Sequence, residues 1–74
     1  MIHINLIKKL RVNQEMTQLQ IARACNVTQA TVAMWEKGIC FPKADKIVPL
    51  AMALNCRCDD LLQMAKERKN RVGA

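Results

Sequence analysis

The sequence predicts an all-α protein, a compact five-helix bundle, and three observations support that class. Apolar residues recur at helical spacing rather than in strict alternation. Capping residues (Asn5, Thr17, Thr28) stand just ahead of the apolar stretches. Hydrophobic residues make up 51% of the chain and aromatics only 3%, with two Gly and two Pro. The core must then be built from Ile, Leu, Val, Ala, Met and Cys around one Trp and one Phe. At 74 residues there is room for one domain, and a chain this short buries only about 60% of its unfolded surface. Every helix has to serve a single core.

The elements follow in order. Residues 1–4 form a short apolar lead, expected to be extended. Asn5 can cap a helix running to about Gln14, with Leu6, Ile7 and Leu10 on its inner side. Thr17 opens a second helix, and Gln20, three residues on, completes a capping-box pattern with it. That helix ends near Cys25, with Asn26 suited to a left-handed turn. Thr28 caps a third helix that runs to Lys37, and Gly38 stops it. Residues 39–43 form a loop containing Pro42. A fourth helix covers residues 44–54; Pro49 removes a backbone donor there, so the helix is expected to begin late or to bend. Asn55 closes it. A fifth helix runs from about Cys58 through Leu61 and Leu62 into Ala65. The domain is expected to span residues 1–65, followed by a basic tail at 66–74.

Residues 17–38, TQLQIARACNVTQATVAMWEKG, carry the functional signal. They form two short helices joined by a tight turn. Ile21, Cys25, Val27, Val32 and Trp35 are their apolar positions. Ala22 lies where the two axes would cross most closely, and a larger side chain there would push them apart. With Val27, Val32 and Trp35 turned inward, Thr28, Gln29, Ala30, Ala33, Met34 and Lys37 face outward. A helix presented this way on a basic domain fits the major groove of duplex DNA.

Charge agrees with that reading. Twelve Lys and Arg against six Asp and Glu give a net +6 and a pI near 9.6, a bias toward polyanions. Other classes are disfavoured. No apolar run approaches the roughly 20 residues of a membrane span, and the start of the chain lacks the apolar core of a signal peptide, so no membrane partner and a cytoplasmic location are expected. Cys25, Cys40, Cys56 and Cys58 do not form paired C-x-x-C motifs, and His3 is the only histidine. No metal site is expected, and no disulfide framework. Cys25 and Cys56 instead occupy places that suit a small apolar residue. Asp59 and Asp60 belong to the first turn of the fifth helix, where negative charge suits its dipole. The chain has no Gly-rich phosphate loop and no Ser-His-Asp set, so no catalytic residue, no enzyme activity and no cofactor are expected.

These motifs resemble the helix-turn-helix domain of the Cro and phage-repressor type, also called the XRE family. The resemblance covers residues 6–62. It rests on Leu10 and Arg11, on the Thr17, Gln18, Ile21, Ala22 opening, on Trp35, Glu36, Lys37, Gly38, on Pro42, and on the closing LAMALNCRCDDLL of residues 50–62. Where the family often has Gly this chain has Glu15, Asn26 and Asn55. Asn tolerates left-handed geometry; Glu15 leaves the shape of the first loop open.

The resemblance implies a lambda-repressor-like bundle with the helix-turn-helix in its second and third helices. It also implies that the third helix enters the groove with its N-terminal part nearest the bases. Thr28, Gln29, Ala30, Ala33 and Met34 are then the base-reading candidates. Gln29 leads, because an amide can pair bidentately with adenine N6 and N7, while Ala30, Ala33 and Met34 offer apolar contact to thymine methyls. No Arg stands on this face, so an A·T-leaning site is expected. Gln18, at the start of the second helix, matches the family's phosphate-touching residue; Thr31, Lys37 and Lys43 join it as phosphate-contacting candidates. Arg11 and Glu36 match the family's paired ions and are expected to form a structural ion pair between the first and third helices. Trp35 is expected in the core rather than as a stacking platform, and Arg23 on the outer side of the second helix. Met16, Met52 and Met64 are expected as core filler, with Met34 on the DNA side. Lys66, Arg68, Lys69 and Arg71 read as a solvated tail.

The expected function is a sequence-specific transcriptional regulator, in the repressor sense. Its expected partners are a double-stranded DNA operator of two-fold symmetry and a second copy of the chain, docked through Leu62, Met64 and Ala65. No small-molecule effector is expected. The alternative is an antitoxin-like interaction module that binds a toxin and regulates its own operon.

Overall fold

Short polar residues start the first three helices. The computed structural model describes residues 5–64, with α1 (Leu6–Asn13), α2 (Gln18–Cys25), α3 (Gln29–Lys37) and α4 (Ala44–Leu54); residues 58–64 form α5. The Asn5 side chain accepts from the Ile7 amide, Thr17 from that of Gln20, and Thr28 from that of Thr31. Thr17 and Gln20 form a reciprocal capping box. Each cap satisfies a helix-end donor that would otherwise have no partner, worth about 1 kcal/mol. The expected lead at 1–4, the end of α5 at Ala65 and the tail at 66–74 lie outside the described residues.

One closing device ends all four of the first helices. A left-handed residue follows each helix, directly for Asn26 and Asn55 (φ 57°) and Gly38 (77°), and one position later, after Gln14, for Glu15 (56°). The amide after it then reaches back five residues: Met16 to Arg11, Val27 to Ala22, Ile39 to Met34 and Cys56 to Ala51, at 2.9–3.1 Å. These are paired Schellman-type closures, each with a second bond from the left-handed residue itself, which reaches back three residues. They also settle the first loop: Glu15 adopts the geometry the family usually gives to glycine.

The core draws on every helix. Ile7 comes from α1, Ile21, Ala22 and Cys25 from α2, Val32 and Trp35 from α3, Ile47, Leu50, Ala51 and Leu54 from α4, and Leu61 from α5. The α4 set repeats at the spacing of one helical face. Leu10, Met16, Val27, Phe41, Cys56 and Met64 are partly buried against this cluster, so Val27 borders the core instead of filling it. Leu6, expected on the inner side of α1, is only half-buried. Helix α2 packs on α3 and α4, and α1 packs on the same two.

Two expectations are corrected. Helix α4 does not begin late: it runs from Ala44 through Leu54 with Pro49 inside it. The bond lost at Pro49 would have gone to the carbonyl of Asp45, an exposed residue, where water can replace it, while four buried residues hold the opposite face. Met52 is not core filler but 77% exposed. It follows Ala51 by one position, and a 100° step carries it off the buried face. Among the described residues no helix is long and apolar enough to cross a membrane.

Candidate nucleic-acid interface

Helix α3 divides its side chains sharply. Val32, Trp35 and Glu36 are buried, whereas Thr28, Gln29, Ala30, Met34 and Lys37 are exposed. Thr31 and Ala33 are half-buried, Ala33 less open than the outward position expected of it. Lys43, in the N-cap position of α4, is exposed, as is Arg23 on α2. The open face of α3 therefore carries an amide, two hydroxyls, apolar groups and one terminal cation. The described part of that face has no acidic side chain.

Two of the hydroxyls are already engaged. Thr28 Oγ1 accepts from the Thr31 amide at 3.2 Å and lies 2.9 Å from Thr31 Oγ1. Capping, rather than base contact, is the first duty of Thr28. Its neighbour Gln29 has no such backbone tie.

Behind the face, a polar network fixes α3 to the rest of the molecule. Arg11 Nε donates to Glu36 Oε2 at 2.6 Å and Nη2 to Oε1 at 3.2 Å. Its Nη1 donates to the Met16 carbonyl at 2.8 Å. One guanidinium thus joins α1, the loop before α2, and α3. The pair is largely desolvated, with the side chains 14% and 4% exposed. The hydrogen bond to Glu36 raises the Arg11 pKa above its usual value; burial opposes this and the carboxylate charge adds to it.

Three further links lay beyond sequence reasoning. Asn5 Nδ2 donates to the Trp35 carbonyl at 2.9 Å, so the α1 cap also anchors the end of α3. Gln18 Nε2 donates to Glu36 Oε1 at 3.0 Å, and Gln29 Nε2 approaches Gln18 Oε1 at 3.5 Å. These partners are 11 to 30 residues apart and only the folded crossing brings them together. The Gln18 and Leu19 amides, at the first two positions of α2, precede any in-helix acceptor and point outward from its end.

The cysteines supply packing. Cys25 is buried and Cys40, Cys56 and Cys58 are half-buried, all as free thiols. Burial raises the Cys25 thiol pKa, with Lys46 opposing; burial, then Asp60 and Cys58, raise that of Cys56. Neither is primed as a thiolate. Among the described residues no group of His, Cys, Asp and Glu could hold a metal ion.

Comparison with known proteins gives two results. No curated protein matches this chain. The family model described as "Helix-turn-helix" matches residues 7–61, most of the chain and all of α2 and α3. The chain belongs to the helix-turn-helix family, of the Cro/C1 or XRE type, and is a DNA-binding transcription regulator.

Proposed function

We propose that this protein is a sequence-specific repressor that inserts α3 into the major groove of a two-fold symmetric operator and binds as a homodimer. The observation that carries the reading is the exposed, uncharged row Thr28, Gln29, Ala30 and Met34 on a helix whose opposite side is buried. Gln29 supplies the hydrogen-bonding group of that row, and Ala30, Ala33 and Met34 its apolar contacts. Gln18 and the first α2 amides face one backbone strand, with Thr31, Lys37 and Lys43 as further phosphate contacts. Pairing doubles the few base contacts that one such domain can make. Of the apolar residues expected at the dimer contact, Leu62 is 46% exposed, Met64 is packed against the core, and Ala65 lies outside the described residues.

Selection of bound duplexes from random DNA at one stated salt concentration tests the proposal. The expected product is a pair of A·T-leaning half-sites related by symmetry, about 10 base pairs apart centre to centre. Guanine-dominated half-sites would refute the assignment of α3. Gln29→Ala should cost about 1–3 kcal/mol at one base pair per half-site and leave the others unchanged.

A further inference from the structure

Four side chains form a line from the interior to the DNA-facing surface: Arg11, Glu36, Gln18 and Gln29. The links are Arg11 to Glu36 at 2.6 and 3.2 Å, Gln18 to Glu36 at 3.0 Å, and Gln29 to Gln18 at 3.5 Å. Donor and acceptor chemistry gives this line a direction. A carboxylate paired with a guanidinium only accepts, so Gln18 must turn its NH₂ toward Glu36 and its carbonyl oxygen away. That oxygen also only accepts. Gln29 therefore turns its NH₂ toward Gln18, which leaves its own carbonyl oxygen and its second N–H for the groove.

One acceptor beside one donor is the complement of adenine, which offers the N6 amino group and N7. Guanine offers two acceptors, O6 and N7, and would need the amide to present both of its N–H groups. The Gln29 amide could do so only by turning over, and its oxygen would then meet the oxygen of Gln18.

We propose that Glu36 determines specificity without touching DNA: acting through Gln18, it orients the Gln29 amide so that the protein selects adenine over guanine. This inference rests on the reading of Gln29 as a base-reading residue. Glu36 is a positioning residue here, and its influence should appear in a base ratio rather than in overall affinity.

The test uses the full chain and the duplex recovered by selection. Gln29→Ala first identifies the base pair whose discrimination disappears. Adenine and guanine are then placed there in turn, and the ratio of dissociation constants is measured at fixed salt. The wild type should favour adenine by about 5- to 150-fold, the range a bidentate pair confers. In Glu36→Gln, the closely held Arg11 Nε keeps the new amide oxygen, so the new NH₂ takes the place of Oε1, gives up the longer bond from Arg11 Nη2 and faces Gln18. The line reverses, and the ratio falls toward guanine. Gln18→Met keeps the Arg11–Glu36 pair and frees the Gln29 amide to turn either way. Its ratio should fall toward one with the melting temperature unchanged, and this arm decides the matter if Glu36→Gln does not fold.

Ratios within about twofold of wild type in the folded variants would overturn the inference while leaving Gln29 as a reader. A uniform loss of affinity in Gln18→Met with the ratio intact would do the same, reducing Gln18 to a phosphate contact. If Gln29→Ala alters no base pair, the base-reading assignment fails, and this inference fails with it.

Discussion

Gly38→Ala isolates the cost of a left-handed backbone from that of a steric clash. Gly38 closes α3 at φ 77°, and apart from its chain neighbours no heavy atom lies within 4 Å of the place a Cβ would occupy. The methyl group therefore meets open space, and only the local conformation is penalised. An L-residue held in this region costs about 1–2 kcal/mol. Replacing glycine also restricts the unfolded chain, which returns about 0.4–1 kcal/mol. The net loss should be about 1 kcal/mol, a fall in Tm of roughly 4–8 °C for a domain of this size. Urea unfolding followed by helical circular dichroism measures it, with an unchanged m-value as the sign that the surface exposed on unfolding is the same. The reverse change at the other end of the same comparison is Glu15→Gly, which should gain about 1 kcal/mol because Glu15 already pays that strain at φ 56°. A loss above about 3 kcal/mol at Gly38, or no gain at Glu15, would refute the strain argument.

Two further substitutions address packing and charge. Arg11→Ala leaves Glu36 almost fully buried without its cationic partner and should cost about 2 kcal/mol, between the values for exposed and fully buried pairs; the double change Arg11→Met with Glu36→Leu should recover most of it in the same urea assay. Ala22→Leu forces extra volume into the α2–α3 crossing, where Ala22 is 1% exposed. A loss of about 1–3 kcal/mol is expected, and a neutral result would mean that the crossing is looser than drawn.

Much of this fold was legible in the sequence because its signals are local. Asn5, Thr17, Thr28, Asn26, Gly38 and Asn55 each act within a few residues of their own position, and each occupies the cap or closure its chemistry suits. The exposed row on α3 was legible for the same reason, since the apolar periodicity fixes which side turns inward. Other features depend on tertiary balance. Nothing about a glutamate announces a left-handed residue; Glu15 is held there by the bonds closing α1. Pro49 reads as a helix breaker until the buried face of α4 outweighs the one bond it removes. Met52 was misplaced because composition says that methionine packs well without saying which azimuth it occupies. The Gln18–Glu36 bond joins residues 18 apart and has no signature in either segment.

The division of labour along α3 bears on how such a protein can acquire a new operator. The side chains of Gln29, Ala30, Met34 and Lys37 are exposed and take no part in the start, the stop or the buried side of the helix. They can be exchanged together, and the rod keeps its length and its rotational setting. Thr28 is the exception. Its hydroxyl holds the first turn, so if α3 reads DNA as proposed, evolution toward a different recognition sequence is free beyond its first-turn cap and constrained at that cap.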